Sequence, residues 1–440
     1  MKHERKTLVQ LFVPISMELL FLMLAGMIDT MMLSAVNDDA VGAVGTANTY
    51  IGMFIIMFSV ITSGMTAVMT QYIGAGREDV AHKARQIGLA FNLAIGVILS
   101  CVLFFGAETI LDTMGIAPLL REYAKTYLQI VGGCCVLNAA IPLFSNYLRA
   151  FGHTKAPMVA TITANIVNLV LNGFFLFVMK WDVAGVALAT VISRVVNLCI
   201  VVIASKKYIR VQESGEYVSR REIFKQILRI GLPSAMESVF YNIAMTLMIS
   251  FLNQMDAEGL NVTARSYAAQ IINFAYCISA GMANANAILT GWRLGAKEYE
   301  ACDKGAKKAA LIGVLAGAGT ALLFTIFSDY IMRLFTDDPV MIELVGKLLF
   351  VDIFLEIGRA TNLVYVQALK TSGDALFTTV MGAIFMLLCV AGGTYFFGIH
   401  LGLMAVGAYI GMALDECIRA VLMVLRWRSG KWRTMRLIKA

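Results

Sequence analysis

Apolar and polar residues follow one another along this chain in long blocks rather than in short alternation. Twelve apolar windows, at about 8–34, 46–73, 85–107, 122–149, 157–179, 184–204, 223–253, 263–291, 306–328, 340–370, 376–397 and 403–426, are separated by polar breaks. Roughly 20 such residues span about 30 Å of hydrocarbon as a helix, so the pattern predicts an all-α integral membrane protein with twelve transmembrane helices. Basic residues concentrate in alternate breaks. The 205–229 segment holds Lys206, Lys207, Arg210, Arg220, Arg221, Lys225 and Arg229, and the 292–308 segment holds Arg293, Lys297, Lys304, Lys307 and Lys308. The 35–45 break has Asp38 and Asp39 with no base, and 398–402 has only His400, so the positive-inside rule predicts that both termini are cytosolic.

The pattern repeats. Pro14 and Glu18 recur as Pro233 and Glu237 with a numbering offset of 219, while Gly74-Ala75, Pro118 and the Leu148–Gly152 run recur as Gly295-Ala296, Pro339 and Leu369–Gly373 with an offset of 221. Six helices per repeat return the chain to its starting side. The expected architecture is therefore two parallel six-helix lobes related by a pseudo-two-fold axis along the membrane normal. The division reads as an amino-terminal lobe at 1–204, a cytosolic linker at 205–222, a carboxy-terminal lobe at 223–427 and a basic cytosolic tail at 428–440.

Composition excludes a water-soluble alternative: 59% of residues are hydrophobic and 15% charged, with a mean hydropathy of +0.75. The first apolar run is longer than a signal peptide and lacks a small-residue cleavage pattern, so it is expected to remain as a span. The formal charge of +7 is spread over short breaks, which reads as a topology signal and not as a nucleic-acid surface. Seven of the eight cysteines fall in apolar windows and Cys302 in a basic break; all are expected as free thiols. The four histidines are placed in breaks or termini, and Asn261-Val262-Thr263 has glycosylation spacing that chance explains.

Charged and amide side chains inside the windows are the candidates for chemistry, because each costs free energy in hydrocarbon. Asp29 sits about 30 Å up the first helix, in the outer half of the membrane. Asn165, Asn168 and Asn172 share one face of helix 5, and Thr190 opens helix 6 at a matching depth. One carboxylate with amide and hydroxyl oxygens suits Na⁺, or H⁺ by protonation of the acid; interhelical hydrogen bonding is the competing reading of the asparagines. Glu18 lies on the same side of its helix as Asp29, facing a lumen, and Glu237 repeats it in helix 7. Both are candidates for a substrate or proton site, or for a structural role near a proline. In helix 10, Asp352, Glu356 and Arg359 cluster, with Glu356 and Arg359 read as an ion pair or a substrate site. In helix 12, Asp415, Glu416 and Arg419 read as a structural clamp or an inner gate.

These residues bring the chain to a family. An Asp late in helix 1, Gln71-Tyr72-Ile73-Gly74-Ala75-Gly76 after helix 2, the Leu148–Pro157 segment between helices 4 and 5, the Asn168/Asn172 pair and the Gly185–Thr190 run together resemble the multidrug and toxic compound extrusion (MATE) transporters of the MOP superfamily. The resemblance implies a cation site at Asp29, Asn168, Asn172 and Thr190. It implies a monomeric secondary antiporter of the cell membrane, not an enzyme, that exports organic, cationic or amphiphilic compounds in exchange for H⁺ or Na⁺ without a cofactor. Its partners would be small organic substrates and the lipid bilayer, and no nucleic acid. Many members carry a second acid where this chain has Asn172, which leaves the site with one formal negative charge. The alternatives are a lipid-linked saccharide flippase of the same superfamily, which calls for a strongly basic lumen, and a membrane enzyme, which calls for an Asp-rich metal motif or an interfacial histidine. Nucleotide hydrolysis is not indicated, as no phosphate-binding G-x-x-x-x-G-K-[ST] run occurs.

Overall fold

A computed structural model describes residues 6–34, 38–113, 118–210, 218–256, 258–435 and 437–438. Part of the expected linker (211–217) and of the expected tail (436, 439 and 440) therefore lies outside the described residues, as do the side chains of Asp38 and Asp39. Among the described residues twelve long helical segments follow in order: α1 (Leu8–Ser34), α2 (Asp38–Gly74), α3 (Glu78–Phe105), α4 (Pro118–Gly132 with Val136–Ala150, bent by 44°), α5 (Lys155–Val178), α6 (Asp182–Tyr208), α7 (Arg220–Met255), α8 (Leu260–Gly295), α9 (Tyr299–Ile326), α10 (Pro339–Ser372), α11 (Ala375–His400) and α12 (Met404–Arg428). No strand occurs among the described residues.

Most helices begin or end several residues beyond their apolar windows. Hydropathy marks only the stretch that meets lipid, whereas backbone hydrogen bonding carries the helix on into polar sequence. Cys302 and His82 consequently move from expected breaks into helices: Cys302 is fully buried near the start of α9, and His82 lies in α3 with Nδ1 3.0 Å from the Tyr147 hydroxyl. Asn261, expected in an outer loop, is buried in the first turn of α8. Its amide donates to Asp256 at 2.5 Å and its Oδ1 accepts from the Ala405 amide at 3.0 Å, so the glycosylation spacing is a coincidence of sequence.

Among the described residues, eight of the helices are individually long and apolar enough to cross a membrane, and α4 makes a ninth when its bent pair is taken as one span. The three that fall short are α8, α10 and α12. All three belong to the second half and carry most of its intramembrane charge.

The chain divides into two compact units, Met17–Gly231 and Met1–Ser16 with Leu232–Ala440. Each boundary falls close to a repeated proline, after Ser16 beside Pro14 and after Gly231 ahead of Pro233. The start of α7 thus groups with the amino-terminal helices, and the start of α1 with the carboxy-terminal ones. Glycine explains how the start of α7 packs: a Cβ on Gly64 would lie 2.0 Å from the Ile227 carbonyl oxygen, and one on Gly231 1.6 Å from that of Val60. Only bare backbone lets α2 and the start of α7 approach that closely.

The repeat is visible in backbone geometry. Gly152 and Gly373 both take positive φ, at 82° and 105°, and Gly76 (78°) is matched at the same offset of 221 by Lys297 (63°). Past the π-helical turn Met386–Ala391, which has no counterpart in α5, the offset becomes 222: Gly185 packs on Phe175 as Gly407 packs on Phe397. After α12, the described part of the tail folds back through the short helix Lys431–Thr434, where Trp432 is buried and stacks on Trp427 at 4.1 Å.

Candidate functional site

Asp29 enters the amino-terminal unit's interior from α1. The α5 asparagines lie on one face, as 100° per residue requires, and each does something different. Asn165 Nδ2 donates to the Phe21 carbonyl at 2.8 Å, tying α5 to α1. Asn172 Nδ2 donates to Asp29 Oδ1 at 2.7 Å and to Asn168 Oδ1 at 3.1 Å. Asn172 is completely buried and Asn168 nearly so, while Asn172 Oδ1 and Asn168 Nδ2 have no hydrogen-bond partner. Asp29, Asn165 and Asn168 also line a cavity of about 210 Å³ whose other walls are apolar, among them Phe21, Leu24 and Ile28.

Thr190 joins this group indirectly. Its Oγ1 donates to the Val186 carbonyl of its own helix at 2.8 Å, and it lies near the hydroxyl of the buried Tyr127, which is also near Asn48 and within electrostatic range of Asp29. Two participants go beyond the residues expected from sequence. Tyr127 is one; the other is Arg194, one turn beyond Thr190, which lies within electrostatic range of Asp29 and has a buried Nη1 without a partner. Arg194 is the one charged residue of the 184–204 window, so the rule that singles out Asp29 also points to it.

The two repeated glutamates are held in repeated ion pairs. Glu18 Oε1 lies 2.7 Å from Arg149, and Glu237 Oε2 lies 2.9 Å from Lys370. Arg149 and Lys370 are themselves related by the offset of 221. Glu18 is buried and absent from the wall of the Asp29 cavity, whereas Glu237 lines the larger cavity of the other unit.

That second cavity, of about 670 Å³, is walled by α7, α8, α10, α11 and α12. Glu356 and Arg359 form an ion pair at 2.5 Å, and Ser279 donates to the second Glu356 oxygen at 2.9 Å. Arg419 grips Asp415 through Nε at 2.9 Å and through Nη2 at 2.5 Å, and also meets Glu416 at 3.2 Å. Glu416 in turn lies 3.8 Å from Arg359 and accepts from Asn362 at 2.7 Å. These contacts join the helix 10 and helix 12 clusters into one network between α10 and α12. Asp352 makes no direct contact with it: the residue is buried, its Oδ1 has no hydrogen-bond partner and no ion pair among the described residues engages it, although Arg359 and Glu356 lie within electrostatic range. No group of three or more His, Cys, Asp or Glu poised to hold a metal ion occurs among the described residues.

Comparison with known proteins identifies the family. The MatE family model matches residues 14–174 and again 233–396, so each half matches separately, from Pro14 and from Pro233 onward. The uncharacterized transporter YisQ of Bacillus subtilis is 34% identical over 426 residues, covering 95% of this chain and 93% of its own. The probable multidrug resistance protein NorM of Thermotoga maritima is 25% identical, covering 97% and 93%. An outward-facing multidrug resistance MATE transporter of the MOP superfamily superposes with a TM-score of 0.88 at 21% identity, over 98% of this chain and 96% of that one. With its membrane-spanning helices and its two matched halves, the chain belongs to the MatE family of multidrug efflux transporters.

Proposed function

We propose that this protein is a proton-coupled antiporter of the cell membrane, exporting organic cationic or amphiphilic compounds by alternating access, with both termini in the cytosol and the monomer as its working unit. The observation that carries the coupling is the half-buried carboxylate of Asp29, held by a single amide hydrogen bond at 2.7 Å beside an apolar cavity. A carboxylate in such surroundings carries a desolvation cost that protonation removes. A proton needs no cage of oxygens. Na⁺ needs several, yet Asn172 presents its NH₂ to Asp29 and not its oxygen. Arg194, also within range of Asp29, further disfavours a second fixed cation there. Protonation alters the affinity of the cavity for an organic cation, and that differential affinity is what an ion gradient can use to shift the inward–outward equilibrium.

The test is transport of a lipophilic dye cation in proteoliposomes under a pH gradient alone and under a Na⁺ gradient alone, in the wild type and in Asp29→Asn. The expected result is pH-driven transport that Asp29→Asn abolishes. Full gradient-driven transport by Asp29→Asn would sink the role of Asp29. Transport driven by Na⁺ and not by pH would replace the proton with Na⁺, and the unpartnered Asn172 oxygen would become its ligand after an amide flip.

A further inference from the structure

The cavity in the carboxy-terminal unit carries charges of both signs, and most of them are spoken for. Glu237 is paired with Lys370, Asp415 with Arg419 and Glu356 with Arg359, while Glu416 is shared between Arg359, Arg419 and Asn362. Two charged side chains on the wall remain. Asp352, on α10, is buried with an unpartnered oxygen. Arg265, on α8, is half-buried and makes no ion pair or hydrogen bond among the described residues. Both lie within electrostatic range of Tyr409 on α12, a buried aromatic on the same wall.

The repeat shows that neither charge is demanded by the fold. At the offset of 221, Arg265 and Asp352 correspond to Val44 and Val131, and in the amino-terminal unit these belong to or pack against an apolar core. An equivalent scaffold therefore packs with valine at both places. A charge with no direct partner in a membrane interior is costly wherever it stands; Arg359 lies within electrostatic range of Asp352 but is already held by Glu356 and Glu416, so two such charges of opposite sign lining one cavity call for a ligand that meets both. A simple organic cation would satisfy Asp352 and leave Arg265 facing a like charge. A molecule bearing one cationic and one anionic group would satisfy the pair, and about 670 Å³ accommodates a drug-sized one. Tyr241, Tyr276 and Tyr409 supply aromatic wall for its body.

We propose that this cavity selects zwitterionic organic molecules, Asp352 receiving the cationic group and Arg265 the anionic one. The inference deepens the export reading and takes its physiological meaning from it, yet the binding itself is measured without any gradient.

The probes are a rhodamine with a free benzoate, which is zwitterionic, and its methyl ester, a plain cation of nearly the same shape. Fluorescence polarisation titrations of the purified full-length protein in detergent give the ratio of the two affinities. That ratio is insensitive to the fraction of protein that is folded. The wild type is expected to bind the free acid about tenfold more tightly than the ester, equivalent to about 1.4 kcal/mol. Arg265→Gln should bring the ratio to about one by weakening the acid alone, Arg265→Lys should restore part of it, and Asp352→Asn should weaken both dyes. A wild-type ratio near one, or a ratio that Arg265→Gln leaves unchanged, overturns the proposal; the second outcome would mean that Arg265 reaches to the membrane interface instead. Failure of antiport in proteoliposomes with the binding ratio intact would refute the coupling mechanism and leave this inference standing.

Discussion

Neutralising Glu18 separates a structural ion pair from a working acid. Its carboxylate is buried and meets Arg149 through one oxygen at 2.7 Å, while Oε2 and the Arg149 Nε are buried without partners. Removing one member of a buried pair generally costs about 3–5 kcal/mol, because the other charge is stranded. Here the stranded guanidinium keeps 16% of its side-chain surface exposed and a 3.2 Å hydrogen bond to Asn146, so Glu18→Gln is placed at the lower end, about 3 kcal/mol. For a unit of this size that is a loss of roughly 6–12 °C in melting temperature. The repeat supplies an internal control. Glu237→Gln should cost less, about 1–2 kcal/mol, because Glu237 and Lys370 both border the large cavity, which leaves the stranded ammonium room for water.

A thiol-reactive dye suits the measurement, since all eight cysteines are free and Cys135, Cys277 and Cys302 are buried until the protein opens. The double variant Glu18→Gln with Arg149→Gln should recover most of the loss, because no charge is then stranded. Two results would refute this account: an unchanged melting temperature for Glu18→Gln, or a double variant as unstable as the sum of the singles. If Glu18→Gln melts like the wild type yet loses gradient-driven transport, Glu18 belongs with Asp29 as a working acid.

Three further outcomes are checked by the same melts. Lys297 holds φ at 63° where the first half has Gly76; Lys297→Gly should raise stability by about 0.5–1 kcal/mol by relieving left-handed strain, and a lower melting temperature would contradict that. Gly231→Ala should destabilise by about 3 kcal/mol or more, since its Cβ would fall 1.6 Å from the Val60 carbonyl oxygen; a variant of normal stability would show that α2 and the start of α7 do not pack so closely. Asp256 caps α8 by accepting from the Leu260 and Asn261 amides at 2.7 and 3.1 Å, and Asp256→Ala should cost about 1 kcal/mol. Burial penalises the Asp256 carboxylate, but hydrogen bonds from Asn261 and Leu260 outweigh it and hold the group below the ordinary value of 3.8. A depressed folded-state value means that the stabilisation is complete above the unfolded value and is lost as pH falls through the folded one. The gap between wild type and Asp256→Ala should therefore stay constant from about pH 5 to 8 and close below about pH 4.

Much of this can be read before any coordinates, for one physical reason: a polar group in a membrane helix is expensive enough to stand out. Asp29 and the Asn168/Asn172 pair stand out that way, and they are joined by hydrogen bonds. Arg194 obeys the same rule, but it lies one turn past the Gly185–Thr190 run that carries the family resemblance. The pairings of Glu18 with Arg149 and Glu237 with Lys370 are harder, since each joins residues far apart in sequence. Even there a signal exists, because acid and base recur together across the repeat. Arg265 obeys the rule as well, being the one charged residue of the 263–291 window, but it stands at the window's edge. Tyr127 has no comparable signal, because a tyrosine in an apolar window is ordinary.

The repeat also separates what the scaffold requires from what it carries. Glu18–Arg149 and Glu237–Lys370 occupy equivalent places in both units, and so do the positive-φ turns at Gly152 and Gly373. Groups kept twice are best explained by the fold. The α5 and α6 site residues behave differently: Asn168 falls opposite Cys389 or Val390 in the π-helical turn, at the offset of 222 Asn172 and Thr190 correspond to Thr394 and Met412, and at the offset of 219 Asp29 corresponds to Met248. Met248 is buried in an apolar core, and Thr394 turns its hydroxyl onto its own helix. In the other direction, Arg265 and Asp352 correspond to valines across the repeat. Each half thus holds charge without an ion-pair partner where its twin is apolar, at places where the twin demonstrates that apolar packing suffices. Folding alone gives no reason to keep such charges. That is the physical case for the two proposals made above, in which ligands are the cause: a small cation at Asp29, and a larger molecule of mixed charge between Asp352 and Arg265.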